Sequence, residues 1–197
     1  LAEHATVPVI NGLTDDYDHP VQSLTDAFTI LEHLGTVEGL TIAFVGKCSD
    51  AMCTSVSLTM SRLGSSMLLA APPEEQMASA TQALVRANCE QSGAALTLTD
   101  DPVAVVRDAD VVFTVGWWWM QPEDEKEDLR RRLRPYQVNE ALWRHTKPGA
   151  KFMHCLPAHR GSEVTDEVID SPASVVFDQA ENRMHAQMAL LLHMLRD

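Results

Sequence analysis

Short apolar runs that alternate with helical patterns constrain this chain more than any other feature. The runs fall at Thr41 to Val45, Ser66 to Ala70, Ala95 to Leu98, Val111 to Thr114, Lys151 to Cys155 and Ser174 to Phe177. Each has the length of a buried strand and is bounded by turn signals. Helical patterns at Ala51 to Leu63, Glu74 to Glu90 and Val138 to His145 separate several of them, and Ala180 to Leu195 carries apolar residues at the spacing of a long closing helix. Such alternation implies βαβ units, hence a Rossmann-like α/β fold whose parallel sheet is covered by helices on both faces. With 197 residues, 45% of them apolar and 22% charged, one core and one domain over 1–197 are expected.

The charge balance narrows the partners. A formal net charge of −13 argues against a phosphate-backbone partner, which would want a basic face, so no nucleic acid is expected. No stretch approaches the ~18 consecutive apolar residues of a membrane span. The start, Leu1-Ala2-Glu3-His4, lacks the basic region of a secretion signal. A cytoplasmic location is expected, with an organelle matrix as the alternative. Cys48, Cys53, Cys89 and Cys155 are too sparse for a disulfide framework and read as free thiols.

Chemistry concentrates at His154-Cys155-Leu156-Pro157-Ala158-His159-Arg160-Gly161, where an apolar strand closes on a thiol, two imidazoles and a guanidinium. Pro157 removes a backbone donor and stops regular pairing. The groups around it then face the crevice beyond the strand ends, where open α/β sheets bind ligands. The bland alternative makes Cys155 a small buried hydrophobe and His159 a solvated loop residue. A dinucleotide site fails on glycine count, because after Gly46 the next glycine is Gly64 and no G-x-G-x-x-G exists. Cys48, Cys53, His154 and Cys155 have no recognised ligand spacing, so no metal and no cofactor are expected.

The same run resembles the HCLPAHRG signature of the ornithine carbamoyltransferase family, and further motifs follow in the family's order. His19-Pro20-Val21-Gln22-Ser23-Leu24 is similar to its H-P-x-Q-x-L, and Pro135 to Glu140 to its P-Y-Q-V-N-E. Glu163 to Asp170 resembles E-V-T-D-E-V-I-D, Ser174 to Asp178 resembles S-V-V-F-D, and Glu181 to Gln187 resembles E-N-R-x-H-A-Q. The resemblance implies transfer of the carbamoyl group of carbamoyl phosphate to an amine. It makes His19, Gln22 and Arg183 donors to the carbamoyl group or neighbouring oxygens, and sets Cys155 and the Leu156 carbonyl beside the carbamoyl nitrogen and the attacking amine. It also implies a homo-oligomer, a trimer by the family's habit.

Departures from the family pattern fall at the amino-acid end. Where the family has T-D-x-W followed by S-M-G, this chain has Thr114-Val115-Gly116-Trp117-Trp118-Trp119-Met120-Gln121, with Val115 in the place of the aspartate, Trp119 of the serine and Gln121 of the glycine. Where the family has paired asparagines in G-D-x-x-N-N-M-x-N-S, Asp50 and Ala51 stand between Gly46 and Ser55. Asp50, Val115, Trp119 and Met120, together with Leu156, are therefore expected to shape the acceptor pocket. A carboxylate at Asp50 would repel the α-carboxylate of ornithine. Three adjacent tryptophans cannot all face one core, so at least one is expected at the pocket or a partner surface. The family's phosphate-cradling S-x-R-T occurs nowhere in the sequence.

These readings set one expectation against another. The first is the second, amino-acid-binding half of a carbamoyltransferase, incomplete on its own and needing a carbamoyl phosphate-binding first half. The second is a non-catalytic relative with an altered pocket, and the third an ornithine enzyme with rearranged recognition groups. In all three, His19, Cys155 and the loop from Trp117 to Met120 are expected to converge at one sheet edge, with Asp50 close by.

Overall fold

The computed structural model of the chain describes residues 1–14, 18–118 and 122–195. Five strands alternate with helices along it: α1 Pro20–Leu34, β1 Thr41–Val45, α2 Ala51–Arg62, β2 Ser66–Ala70, α3 Ser79–Ser92 and β3 Leu96–Thr99. Next come α4 Pro102–Val106, β4 Val111–Phe113, α5 Glu123–Leu133, α6 Glu140–Trp143, β5 Lys151–Met153, α7 Asp166–Ile169 and α8 Val176–Met194. All strand pairs are parallel and the sheet order is β3-β2-β1-β4-β5. The chain winds outward from β1 to β3, then returns to β4 and β5 on the other side. This reversal opens a crevice beyond the carboxyl ends of β1 and β4, the usual ligand position in such sheets.

Strand alternation divides the core into two layers. Ile42 and Phe44 of β1 point into one cluster with Met52, Val56, Met60, Met67, Leu69 and Phe113, while Ala43 and Val45 point into another with Val112, Trp117, Leu133, Val138 and Phe152. Both faces are thus buried, which explains why the strands read as continuous apolar runs. Phe44 and Phe113 stack across neighbouring strands at 6.3 Å. Among the described residues, no helix is long and apolar enough to cross a membrane.

Helix ends follow local chemistry. Pro20 sits at the first position of α1, where its fixed φ suits the helix and its missing N–H costs nothing, and Gly35 closes the helix at φ 76° with its N–H on the Leu31 carbonyl. Asp50 caps α2 by accepting from the Met52 N–H at 2.9 Å.

One expected strand is absent as such. Ser174 makes only an isolated bridge with Phe152, and the helix α8 starts at Val176. The Phe152 carbonyl accepts from the Val175 N–H at 3.0 Å, after which the backbone turns helical. The expected helix from Glu74 is a short 3-10 turn, Pro73–Glu75, followed by α3 beginning at Ser79.

Candidate functional site

Three loops and one helix start meet at the crevice. The loop after β1 brings Asp50, Ala51 and Met52, the loop after β4 brings Val115 and Gly116, and the loop after β5 brings Cys155, Leu156, Pro157 and His159. With Leu13 and His19 they enclose a cavity of about 210 Å³. His19, Asp50, Val115, Cys155 and Leu156 therefore share one site. Trp119 and Met120, and with them part of the expected loop, lie outside the described residues.

His19 is the residue before α1, and its backbone N–H donates to Ser55 Oγ at 2.6 Å on α2. The same hydroxyl donates to the Asp18 carboxylate, so the approach to α1 is pinned to α2. Burial, and after it the positive charge of Arg183, hold the imidazole pKa of His19 below its ordinary value. The ring is then neutral at pH 7 and carries one N–H donor.

Cys155 is a different kind of group. Burial first, then the charges of Asp26 and Asp50, push its thiol pKa well above the ordinary value. A thiol held protonated in this way is a poor nucleophile and serves as a weak donor against a ligand. Alkylation of Cys155 by iodoacetamide at pH 8 is expected to run at least ~10-fold slower than that of free cysteine, because the thiolate is the reacting species. A rate equal to free cysteine would show an ionised thiol.

Leu156 has φ 56°, in the left-handed region that a leucine seldom occupies. Its N–H donates to His154 Nδ1 at 2.9 Å, so the proton of this neutral imidazole sits on Nε2. That nitrogen faces Glu163 Oε1 at 3.3 Å, with both side chains fully buried. The same oxygen accepts the His159 N–H at 2.5 Å. Glu163 thus ties the two ends of the loop that presents Cys155 and Leu156. The residue stood inside a motif in the sequence, but no local signal gave it this task.

Gln22 and Arg183 lie beside the cavity rather than on its wall. Arg183 Nη1 donates to Gln22 Oε1 at 2.6 Å, and Gln22 Nε2 donates to Asp26 Oδ1 at 2.8 Å. Gln22, read from the sequence as a donor toward substrate, thus spends a carboxamide N–H on Asp26 and offers its oxygen to Arg183. Further along, Asn182 donates to Thr29 Oγ1 at 3.1 Å and to Glu32 Oε2 at 2.5 Å, so α1 and α8 are joined by a row of polar contacts.

Asp50 turns its carboxylate to its own helix as well as to the cavity, and burial raises its pKa above the usual carboxylate value. Val115 is buried and packs in the core layer that contains Phe44 and Met153. Trp117 is fully buried in the other layer, which makes it a core residue. Trp118 packs edge-on against Trp117 and lies 4.9 Å from the His159 ring, with the Arg130 guanidinium 5.0 Å from its own ring. Its contact with the pocket is indirect, through His159, which sequence reasoning left out of the site. Gly116 allows that approach, since a Cβ there would stand 3.3 Å from His159 Nδ1. Among the described residues, no group of three His, Cys, Asp or Glu side chains is placed to hold a metal ion.

Sheet order and crevice together define a Rossmann-like domain with a cavity beyond the carboxyl ends of β1, β4 and β5. Comparison with known proteins narrows this. Residues 38–194 match the aspartate/ornithine carbamoyltransferase Asp/Orn binding domain, and residues 1–32 match the carbamoyl-P binding domain of the same enzymes. The anabolic ornithine carbamoyltransferase of Pyrococcus furiosus is 48% identical over 97% of this chain and 60% of its own length. A solved structure of the Pyrococcus furiosus enzyme superimposes with a TM-score of 0.92 at 47% identity, covering 96% of this chain and 60% of that one. A solved N-acetyl-L-ornithine transcarbamylase, 30% identical, covers 98% of this chain and 61% of its own with a TM-score of 0.87. The chain belongs to the aspartate/ornithine carbamoyltransferase family. It spans about three-fifths of the length of these relatives.

Proposed function

We propose that the chain supplies the acceptor-binding half of a carbamoyltransferase, which moves the carbamoyl group of carbamoyl phosphate to an amine and acts together with a carbamoyl phosphate-binding first half. The observation that carries this reading is the meeting of a neutral His19, a protonated Cys155 and the Leu156 loop at one cavity, with Arg183 alongside. In this reaction an amine attacks the carbamoyl carbon, the carbonyl oxygen gains negative charge, and phosphate leaves. Preorganised donors aimed at that oxygen lower the barrier. His19 and Arg183 supply such donors, while Cys155 and the Leu156 carbonyl flank the amine.

A first half has a surface to meet. Leu24 and Leu31 on α1 and Met184, Met188 and Leu191 on α8 stand 44–56% exposed, an apolar face of the type that another domain covers. Residues 1–32, with most of α1, match the carbamoyl-P binding domain, so in this reading the chain contributes His19 and Gln22 to that half and the rest of it comes from the missing part.

The acceptor in this reading is an amine without a free α-carboxylate. Asp50 and Val115 stand on the cavity wall where the family meets the substrate's carboxylate and ammonium, and their charges are changed in opposite senses. The experiment reconstitutes the chain with the first half of a family enzyme and compares kcat/KM for ornithine and a diamine. The double change Val115→Asp with Asp50→Asn is expected to move the preference toward ornithine by about 1–3 kcal/mol, the scale of hydrogen bonds to charged groups. Asparagine also caps helices well, so α2 keeps its start. An unchanged ratio would remove these positions from acceptor choice. Absence of transfer to any amine would favour the second reading, a non-catalytic binding domain, which the altered Asp50 and Val115 positions also suit.

A further inference from the structure

Asp26 is a fully buried carboxyl group in the middle of α1, and neither the cavity wall nor the transfer step uses it. Its Oδ1 accepts two amide N–H groups, from Gln22 Nε2 at 2.8 Å and from Gln179 Nε2 at 2.7 Å. Each glutamine has its other end committed to the site. Gln22 Oε1 accepts from Arg183 at 2.6 Å, and Gln179 Oε1 accepts from the His154 backbone N–H at 3.0 Å. One carboxylate oxygen therefore decides which way round two carboxamides stand. Through them it reaches the guanidinium on α8 and the strand end that precedes Cys155.

We infer that Asp26 is the positioning residue of this site: its ionised carboxylate fixes the polarity of Gln22 and Gln179, and its protonation withdraws the acceptor that holds Arg183. The reasoning is a count of donors and acceptors. A carboxylate accepts only, so both glutamines must present nitrogen to it and oxygen outward. A carboxylic acid carries a proton that needs an acceptor: on Oδ2, which is buried with no partner, that proton stays unsatisfied, and it gains an acceptor within the hub only if it moves to Oδ1 and a glutamine turns its oxygen toward it. If either glutamine turns to meet that proton, its N–H group faces Arg183 or the His154 N–H, donor against donor. An unsatisfied buried donor is costly, so the hub has two distinct arrangements rather than a continuum.

The balance between them lies within reach of ordinary conditions. Burial pushes the Asp26 pKa up to about 7, against the opposing pull of the Gln22 and Gln179 hydrogen bonds and the Arg183 charge. The charged and titratable groups that bear on it are Arg183 from α8 and Cys155 from the loop after β5, whose own thiol is raised in part by Asp26. The Cys155 thiol is pushed up, away from the neutral range, whereas His19 is also coupled to Arg183, so the step that belongs to Asp26 is the one shared with Gln22 and lost in Asp26→Asn.

What the hub serves rests on the transfer-site reading above, but the test is made on the resting chain without carbamoyl phosphate or any amine. The carboxyl carbon of Asp26, the side-chain amide of Gln22 and the guanidinium of Arg183 are followed by NMR from pH 5 to 9. The expected result is one shared midpoint, displaced by at least about one pH unit above the ordinary carboxylate pKa of roughly 4, with all three signals moving together. In Asp26→Asn the shared step is lost. If that variant does not fold, the wild-type titration decides alone. An Asp26 midpoint near the ordinary carboxylate value, or Gln22 and Arg183 signals that stay flat while Asp26 titrates, would overturn the inference. Failure of carbamoyl transfer in a reconstituted enzyme would leave this outcome untouched, so the two claims fail separately.

Discussion

Incubated alone with saturating carbamoyl phosphate and ornithine, the 197-residue chain is expected to form no citrulline above the blank. Two independent lacks lead to this. The phosphate-cradling S-x-R-T does not occur in the sequence, so nothing here replaces the donors that would hold the leaving group. In the proposed reading, Val115 and Asp50 on the cavity wall also stand in for the carboxylate and asparagine amide that would meet the ornithine head group. Positioning supplies much of the barrier reduction in a two-substrate reaction, and an unheld electrophile forfeits it. Turnover of ~1 s⁻¹ or more, the low end of ordinary enzymes, would contradict the proposed division between two halves. The assay also separates the causes. Activity that returns with an added first half and a diamine, but not with ornithine, places the second lack at the acceptor pocket.

Replacing Glu163 with alanine is expected to cost about 1–3 kcal/mol of folding stability, the scale of the desolvation penalty of a buried donor left unpaired. The carboxylate is fully buried, accepts the His159 N–H and stands 3.3 Å from His154 Nε2. Its loss leaves the His159 amide N–H without its acceptor and removes the carboxylate that faces the buried His154 Nε2. Glu163→Gln keeps the volume and one acceptor oxygen, so its cost should be smaller. Urea unfolding measures both, and a lowered midpoint with an unchanged slope marks a stability effect. A cost below about 1 kcal/mol for the alanine variant, within the range of an exposed pair, would mean that the loop from His154 to His159 does not depend on Glu163.

Much of the fold was legible because parallel strands buried on both faces write themselves as apolar runs. β1 and β2 agree in extent with the sequence reading, and β4 and β5 begin where expected but end one and two residues earlier. The run from Ser174 to Phe177 misled because Val175 and Val176 suit a strand, whereas tertiary context gave them the start of a helix. α5, Glu123–Leu133, escaped notice for the opposite reason. It buries only Leu129 and Leu133, and its charged face is laced by Lys126–Glu123, Arg130–Glu127 and Arg132–Asp128 pairs that give little apolar periodicity. At the site, His19, Cys155, Leu156, Asp50 and Val115 were found through motifs, and they do meet. His159 was noticed as part of the run after β5 but not assigned to the site, and Asp26 was not singled out. Their importance lies in what faces them across the fold, a Trp118 ring and two glutamines, and one stretch of sequence contains no record of such distant partners.

The row of polar contacts between α1 and α8 also fixes when the site can exist. Gln22 meets Arg183 across 161 positions of sequence, Asp26 meets Gln179 across 153, and Thr29 meets Asn182 across 153. Contacts that close so long a loop are made late, after the local βα units have removed most of the chain's freedom. Until α8 docks, the cavity walls contributed by the loops after β1 and β4 lack the Arg183 guanidinium beside them. A chain without α8 would therefore keep the sheet but lose every contact in this row, and with it the Arg183 guanidinium beside the crevice.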